Sequence, residues 1–148
     1  MEIDLVLAPV DGSDRSETAA EYAVAVADRY DADLHLLYVI EERVRREIDA
    51  GRIDGDRIAE NHRAFTATVR ESLAEAGHDG DLAHSTATGF SQTSLRQSPG
   101  SVVLDAAEEI GADFIVVPRE PGSDDPEEGI GRAALYVIEY ASQPVLSV

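Results

Sequence analysis

IDLVLAPVDGSDRSETAAEYAVAVADRY, residues 3–30, decides the architecture. Residues 3–10 are almost continuously apolar, as in a strand buried on both faces. Gly12 then permits a tight turn. Asp14 is the expected N-cap of a helix, and Glu17 stands at capping-box spacing from it. Ala20, Ala23, Val24, Ala27 and Tyr30 recur on one face of that helix. Its small residues let the helix lie close against a sheet. A buried strand followed by such a helix begins a parallel crossover unit.

The rest of the chain repeats the unit. LHLLYVI, residues 34–40, is a second strand. Residues 41–57 show no clear apolar stripe and hold five of the arginines. They are expected to form a solvated connector with internal ion pairs, the alternative being an anion-binding patch. Ile58, Phe65, Val69 and Leu73 mark a helix, with His62 and Ala76 on the same stripe and Gly77 as its stop. DLAHSTAT, residues 81–88, is a weak polar strand, and the loop GFSQTSLRQ follows it. Ser98 and Pro99 suit the N-cap and first position of another helix. Its core face is Val102, Val103, Ala106, Ala107 and Ile110, and Gly111 ends it. Residues 113–118 form a fourth strand, 119–130 a loop and 131–141 a short helix ended by Gln143-Pro144. The terminal VLSV is a fifth strand.

Strands alternating with helices predict an α/β fold, a parallel sheet with helices on both faces. Right-handed crossovers select a single five-stranded sheet in the order 3-2-1-4-5. One domain over residues 1–148 is expected. In such a sheet the ligand crevice opens at the carboxyl ends of the first and fourth strands. Residues 9–13 and 117–132 should meet there.

Composition narrows the chemistry. There is no cysteine, hence no disulfide and no thiolate. MEIDLVLAPV has no basic flank, so it reads as a strand and not a signal peptide. No apolar run approaches the roughly 20 residues of a membrane span. A cytoplasmic protein without a membrane partner is expected. Thirty acids face twelve bases, for a net charge of −18, and every base is arginine. That charge repels nucleic acid and anionic lipid. It fits adaptation to molar salt, where the Debye length falls to ~3 Å. Ordinary acidic solubility is the alternative. With 43% apolar residues, periodically placed, the chain is not disordered.

The lack of lysine removes the phosphate-binding Lys of a P-loop, the strand Lys of a protein kinase and any Schiff-base amine. It also removes the Lys of a response-regulator receiver. DGSDRS lacks the paired glycines of an adenylating SGGxDS loop. The histidines, at positions 35, 62, 78 and 84, show no i, i+3 or i, i+4 pairing that would suggest a metal site. No Ser stands in a G-x-S-x-G elbow. No catalytic constellation emerges, and the chain is expected not to be an enzyme. Asp11, just after the first strand, can accept hydrogen bonds from a ribose or base amine. It can equally tie down a turn.

The chain resembles the universal stress protein family over nearly its whole length. The matching segments are VLAPVDGSDRSETA, LHLLYVI, GADFIVV and GRAALYVIEYASQPVLSV, with the first and last the most specific. Residues 41–97 match only in outline. The resemblance implies a Rossmann-like fold of the adenine nucleotide alpha hydrolase type. It also implies a homodimer through the C-terminal strand. Nucleotide-binding members carry G-x2-G-x9-G-[ST] after the fourth strand. Laid on this chain without a gap, the pattern falls on Pro118, Pro121, Gly131 and Arg132, so one family residue in four remains. By the same resemblance Pro9, Asp11 and Val39 would surround an adenosine, and Val117 and Ala133 would flank its phosphates. Proline has no N–H to donate and a fixed φ. Asp124, Asp125, Glu127 and Glu128 add four carboxylates to the same loop. The expectation is a degenerate phosphate loop in a dimeric stress-response or interaction module without ATP or any other cofactor. The alternative is a nucleotide-dependent regulator that retains AMP, ADP or ATP, with Mg²⁺. No protein partner or signal can be named from the sequence.

Overall fold

β1 (Leu5–Val10) is the middle strand of five, and its burial arranges the rest. Val6, Leu7, Ala8 and Val10 have no exposed surface. Each fully buried Val or Leu contributes about 1.5–3 kcal/mol. A strand with apolar residues on both faces needs helices on both sides. The computed structural model describes residues 2–90, 98–119 and 133–148. From β1 the chain enters α1 (Asp14–Tyr30), then β2 (Asp33–Glu41). α2 (Glu42–Asp49) and α3 (Gly55–Glu75) lead to β3 (Leu82–Phe90). α4 (Pro99–Ile110), β4 (Phe114–Val117), α5 (Ala133–Tyr140) and β5 (Val145–Ser147) complete it. The sheet order is β3-β2-β1-β4-β5, as expected, and its pairings are parallel.

The alternation of β1 divides the core. Val6, Ala8 and Val10 pack with α1 and with Val69 and Leu73 of α3. Leu7 packs with Val103 and Ala107 of α4 and Ala134 and Val137 of α5. On α1, Ala19, Ala23 and Ala27 are fully buried, so its backbone lies close to the sheet. Tyr38 is the largest fully buried side chain. Its hydroxyl donates to the His62 carbonyl at 2.9 Å and lies 2.5 Å from Thr66 Oγ1.

Three local expectations need correction. Ser13 caps α1 instead of Asp14, its Oγ accepting from Ser16 N at 3.3 Å. Asp11 holds Ser13 N at 3.0 Å, so the chain turns into the helix one residue early. Tyr30 is 54% exposed, because α1 ends there and Ala32 enters the core in its place. Residues 41–57 are not a plain connector, since they contain α2 and the start of α3. The internal ion pairs expected there do form. Arg45 reaches Glu42 and Asp49, Arg46 reaches Glu42, and Arg52 reaches Glu47, at 3.1–3.5 Å. Such exposed pairs contribute only about 0.3–0.5 kcal/mol each. Half-buried Val44 and Ile48 anchor α2 as well.

Gly100 lets α4 approach α5. A Cβ placed there would lie 2.6 Å from Tyr136 Cβ. That atom cannot swing away as a side-chain tip can. Gly100→Ala should therefore destabilise by about 1–3 kcal/mol, although alanine is the better helix former by about 1 kcal/mol. The penalty should shrink in a Tyr136→Gly background, which removes that Cβ. Denaturant midpoints of the four variants check this, and a more stable Gly100→Ala protein would contradict it.

Candidate functional site

Asp11 stands where β1 ends and the chain turns through Gly12 at φ 83°. Its Oδ1 accepts from Ser13 N at 3.0 Å and from Ser16 Oγ at 2.7 Å. Ser16 Oγ in turn accepts from Asp11 N at 2.9 Å. One carboxylate oxygen therefore ties the turn to α1. The other, Oδ2, is the one buried side-chain polar atom among the described residues that has no hydrogen-bond partner. A buried carboxylate oxygen without a donor is costly. Asp11 thus ties the turn and still has one oxygen unsatisfied.

Beside Asp11 a cleft of about 960 Å³ opens between α1, α3 and α2. Ala20, Val24, Phe65 and Val69 supply much of its apolar lining. Val39 lines it from the end of β2. Asp11, Glu17, Glu21, Glu41 and Glu47 line it too, with Arg43 as the one base among the described lining residues. The α1 and α3 stripes were legible in the sequence, but only as core. Val44, Ile53 and Ile58 belong to the wall as well, and no periodic signal marked the first two.

Of the other expected site residues, the described Pro9, Val117, Pro118 and Ala133 lie at the same sheet end without lining this cleft. Pro9 is buried in β1 opposite Leu37. Val39, Val117 and Ala133 share one buried cluster, which by itself makes them core residues. Pro118 is buried just beyond β4. Ile115 N donates to Pro144 O, Val148 N to Val117 O and Arg119 N to Val148 O, so residues 115, 117 and 119 turn their backbone groups toward β5. By strand alternation the nitrogen of Pro118 faces the opposite side, toward β1 and the crevice. That nitrogen carries no hydrogen. Pro121, Gly131, Arg132 and the four loop acids lie outside the described residues.

Two histidines meet Tyr38, and a third, His35, stands on the other face of β2. The His62 ring stacks on Tyr38 at 4.1 Å, and His84 meets Tyr38 edge-on at 6.3 Å. His35 Nε2 lies 2.7 Å from Ser85 Oγ. Burial, then the nearby His84, holds His35 and His62 below the ordinary histidine value. Burial raises the Tyr38 phenol, against a smaller lowering by its hydrogen bond to Thr66. Among the described residues no group of three His, Asp or Glu is placed to hold a metal ion. No helix there is long and apolar enough to cross a membrane.

A parallel sheet in this order is a doubly wound α/β fold, in which the chain reverses between β1 and β4. The universal stress protein family matches residues 2–148 of the chain, and the chain belongs to that family. Among curated proteins none matches it significantly in sequence. Solved structures do match. Universal stress protein UspA from Lactobacillus plantarum is 22% identical, with 100% of this chain and 99% of that one covered and a TM-score of 0.72. A universal stress protein in complex with cAMP is 20% identical, covering 100% and 98%, with a TM-score of 0.68. The universal stress protein from Archaeoglobus fulgidus in complex with dAMP is 17% identical, covering 98% and 96%, with a TM-score of 0.62. At these identities the likeness is one of fold.

The half-buried histidines should make stability depend on pH. His35 and His62 take up protons less readily when folded, so the unfolded chain binds them first. Their contribution is present above the ordinary value of 6.5 and is lost as pH falls below it. Urea midpoints should drop between pH 7.5 and 5.5. The drop should be smaller in His62→Gln. Equal pH slopes in wild type and variant would contradict the assignment.

Proposed function

We propose that this universal stress protein is a non-catalytic, cytoplasmic homodimer that acts as an interaction module in molar salt and does not hold ATP. The observation that carries the reading is Pro118. It occupies the first glycine position of the family's phosphate pattern, and its nitrogen faces the crevice with no hydrogen to donate. Pro121 removes a second donor, and Arg132 replaces the hydroxyl residue. The charge nearby opposes a polyphosphate as well. Each like-charge pair at ~4 Å costs about 1 kcal/mol in water and more where desolvated. Asp124, Asp125, Glu127 and Glu128 sit in the loop sequence, and five more acids line the adjacent cleft.

The dimer reading rests on where charge is missing. Of the 42 charged side chains, Glu139 alone falls within residues 133–148. On α5, Leu135, Ile138 and Tyr140 are 50–65% exposed. Beside them β5 is an edge strand of the sheet, with unpaired backbone groups. Two copies that each carry −18 can approach most cheaply through this neutral face. No nucleic acid partner is expected of such a charge. A second reading, a regulator that retains AMP, ADP or ATP with Mg²⁺, is favoured by the unpartnered Asp11 Oδ2 and by the cAMP and dAMP complexes of related folds.

Two experiments test these readings. Calorimetry in molar KCl with Mg²⁺ should find ATP binding weaker than about 1 mM, or about 4 kcal/mol. Pro118→Gly, Pro121→Gly and Arg132→Ser together should bring binding into range, since each restored donor to a charged group contributes roughly 1.5–3 kcal/mol. Tight binding by the wild type would favour the second reading. Light scattering should give twice the 15.9 kDa chain mass. Leu146→Asp should give the single mass, and a monomeric wild type would refute the dimer.

A further inference from the structure

The cleft between α1 and α3 differs from a phosphate crevice in both lining and charge. It runs from Asp11 down the facing sides of the two helices, past Val24 and Val69 to Ser72. α2, which packs against β2 and β3, walls one side of it. Val44 of α2, Ile53 of the turn that follows and Ile58 of α3 make that side apolar. Its volume of about 960 Å³ falls within the span of small-molecule sites, roughly 300–1,000 Å³.

We propose that this cleft binds a small organic cation with an apolar body, such as an arylalkylamine or a quaternary ammonium compound. The inference goes beyond the phosphate-loop reading and does not depend on it. An anion would meet Asp11, Glu17, Glu21, Glu41 and Glu47, with Arg43 as the one guanidinium in its favour beside the donors Asn61, His62, Thr68 and Ser72. A neutral apolar molecule would gain from Ala20, Val24 and Val69 but nothing from the carboxylates. A bare inorganic cation would gain nothing from the apolar lining. A cation on an apolar body gains from both. The acids are not all equivalent. Glu47 is already paired with Arg52 at 3.1 Å, and Asp11 holds the turn. No ion pair engages Glu17, Glu21 or Glu41 among the described residues. Phe65 adds an aromatic ring, whose face attracts a desolvated ammonium.

The probes are phenylbutylammonium, phenylbutanol and phenylbutyrate, which differ in the head group, together with adenosine. Calorimetry at one fixed salt concentration gives affinities, and methyl NMR of Ala20, Val24 and Val69 locates the binding. The ammonium should bind about tenfold more tightly than the alcohol, and the carboxylate should not bind. Glu17→Gln with Glu21→Gln should erase most of that preference and leave the alcohol unchanged. Ala64→Trp, at an exposed lining position, should block every probe while the circular dichroism stays native. Failure of the ammonium to bind would overturn the proposal, as would equal binding of the carboxylate. Methyl shifts confined to other regions would also overturn it. Displacement of the ammonium by adenosine would assign the cleft to a nucleoside instead.

Discussion

The burial of β1 on both faces is the constraint on which the rest depends. Its side chains alternate between two apolar layers, and neither layer can be left to water. α1 and α3 cover one layer, and α4 and α5 cover the other. Right-handed crossovers then put β2 and β4 on opposite flanks of β1. The chain must leave β1 in one direction and return beside it through β4. That reversal places Asp11 and Pro118 at one end of the sheet without any direct bond between them.

Charge is distributed so as not to disturb that packing. Arg45, Arg46 and Arg52 in the α2 region pair with acids within about one helical turn, where the geometry costs little order. Such pairs contribute little to stability. They keep compact charge on a surface that would otherwise be more acidic still. The neutral run of residues 133–148 is the exception. Its residues both fill the core, through Ala134 and Val137, and expose Leu135, Ile138 and Tyr140. A helix apolar on both sides satisfies its outer face only against another surface.

Much of the fold was legible because it rests on long-range repetition. The apolar runs at residues 3–10 and 34–40, the alanine face of α1 and the Ser98-Pro99 cap each have one physical solution. What escaped was local competition. Asp14 and Ser13 are both good caps, and the bond from Asp11 to Ser13 N decided between them. α2 escaped because its apolar stripe is only Val44 and Ile48, masked by arginines and acids. At the site, the importance of Asp11 could be read from its place after a buried strand, but the division of its two oxygens could not. Neither could the cleft. Phe65 and Val69 have the same helical spacing whether they meet a neighbour or line a gap. His62 and His84 escaped too, since they belong to two different elements and meet only around Tyr38.

Pro118 and the acid-lined cleft impose different limits on a ligand. A proline nitrogen turned toward the crevice withdraws a donor from an anion but leaves apolar and cationic groups unaffected. The carboxylates along α1 and α2 act in the same direction through space, and they do so without any change in the fold. Asp11 stands between the two regions, with one oxygen engaged and the other unsatisfied. In the proposed reading both limits act against phosphate, one by removing a hydrogen bond and the other by repulsion. The geometry that remains, apolar lining with unpaired acids, favours positive charge at the end of the sheet where a nucleotide fold ordinarily concentrates donors for negative charge.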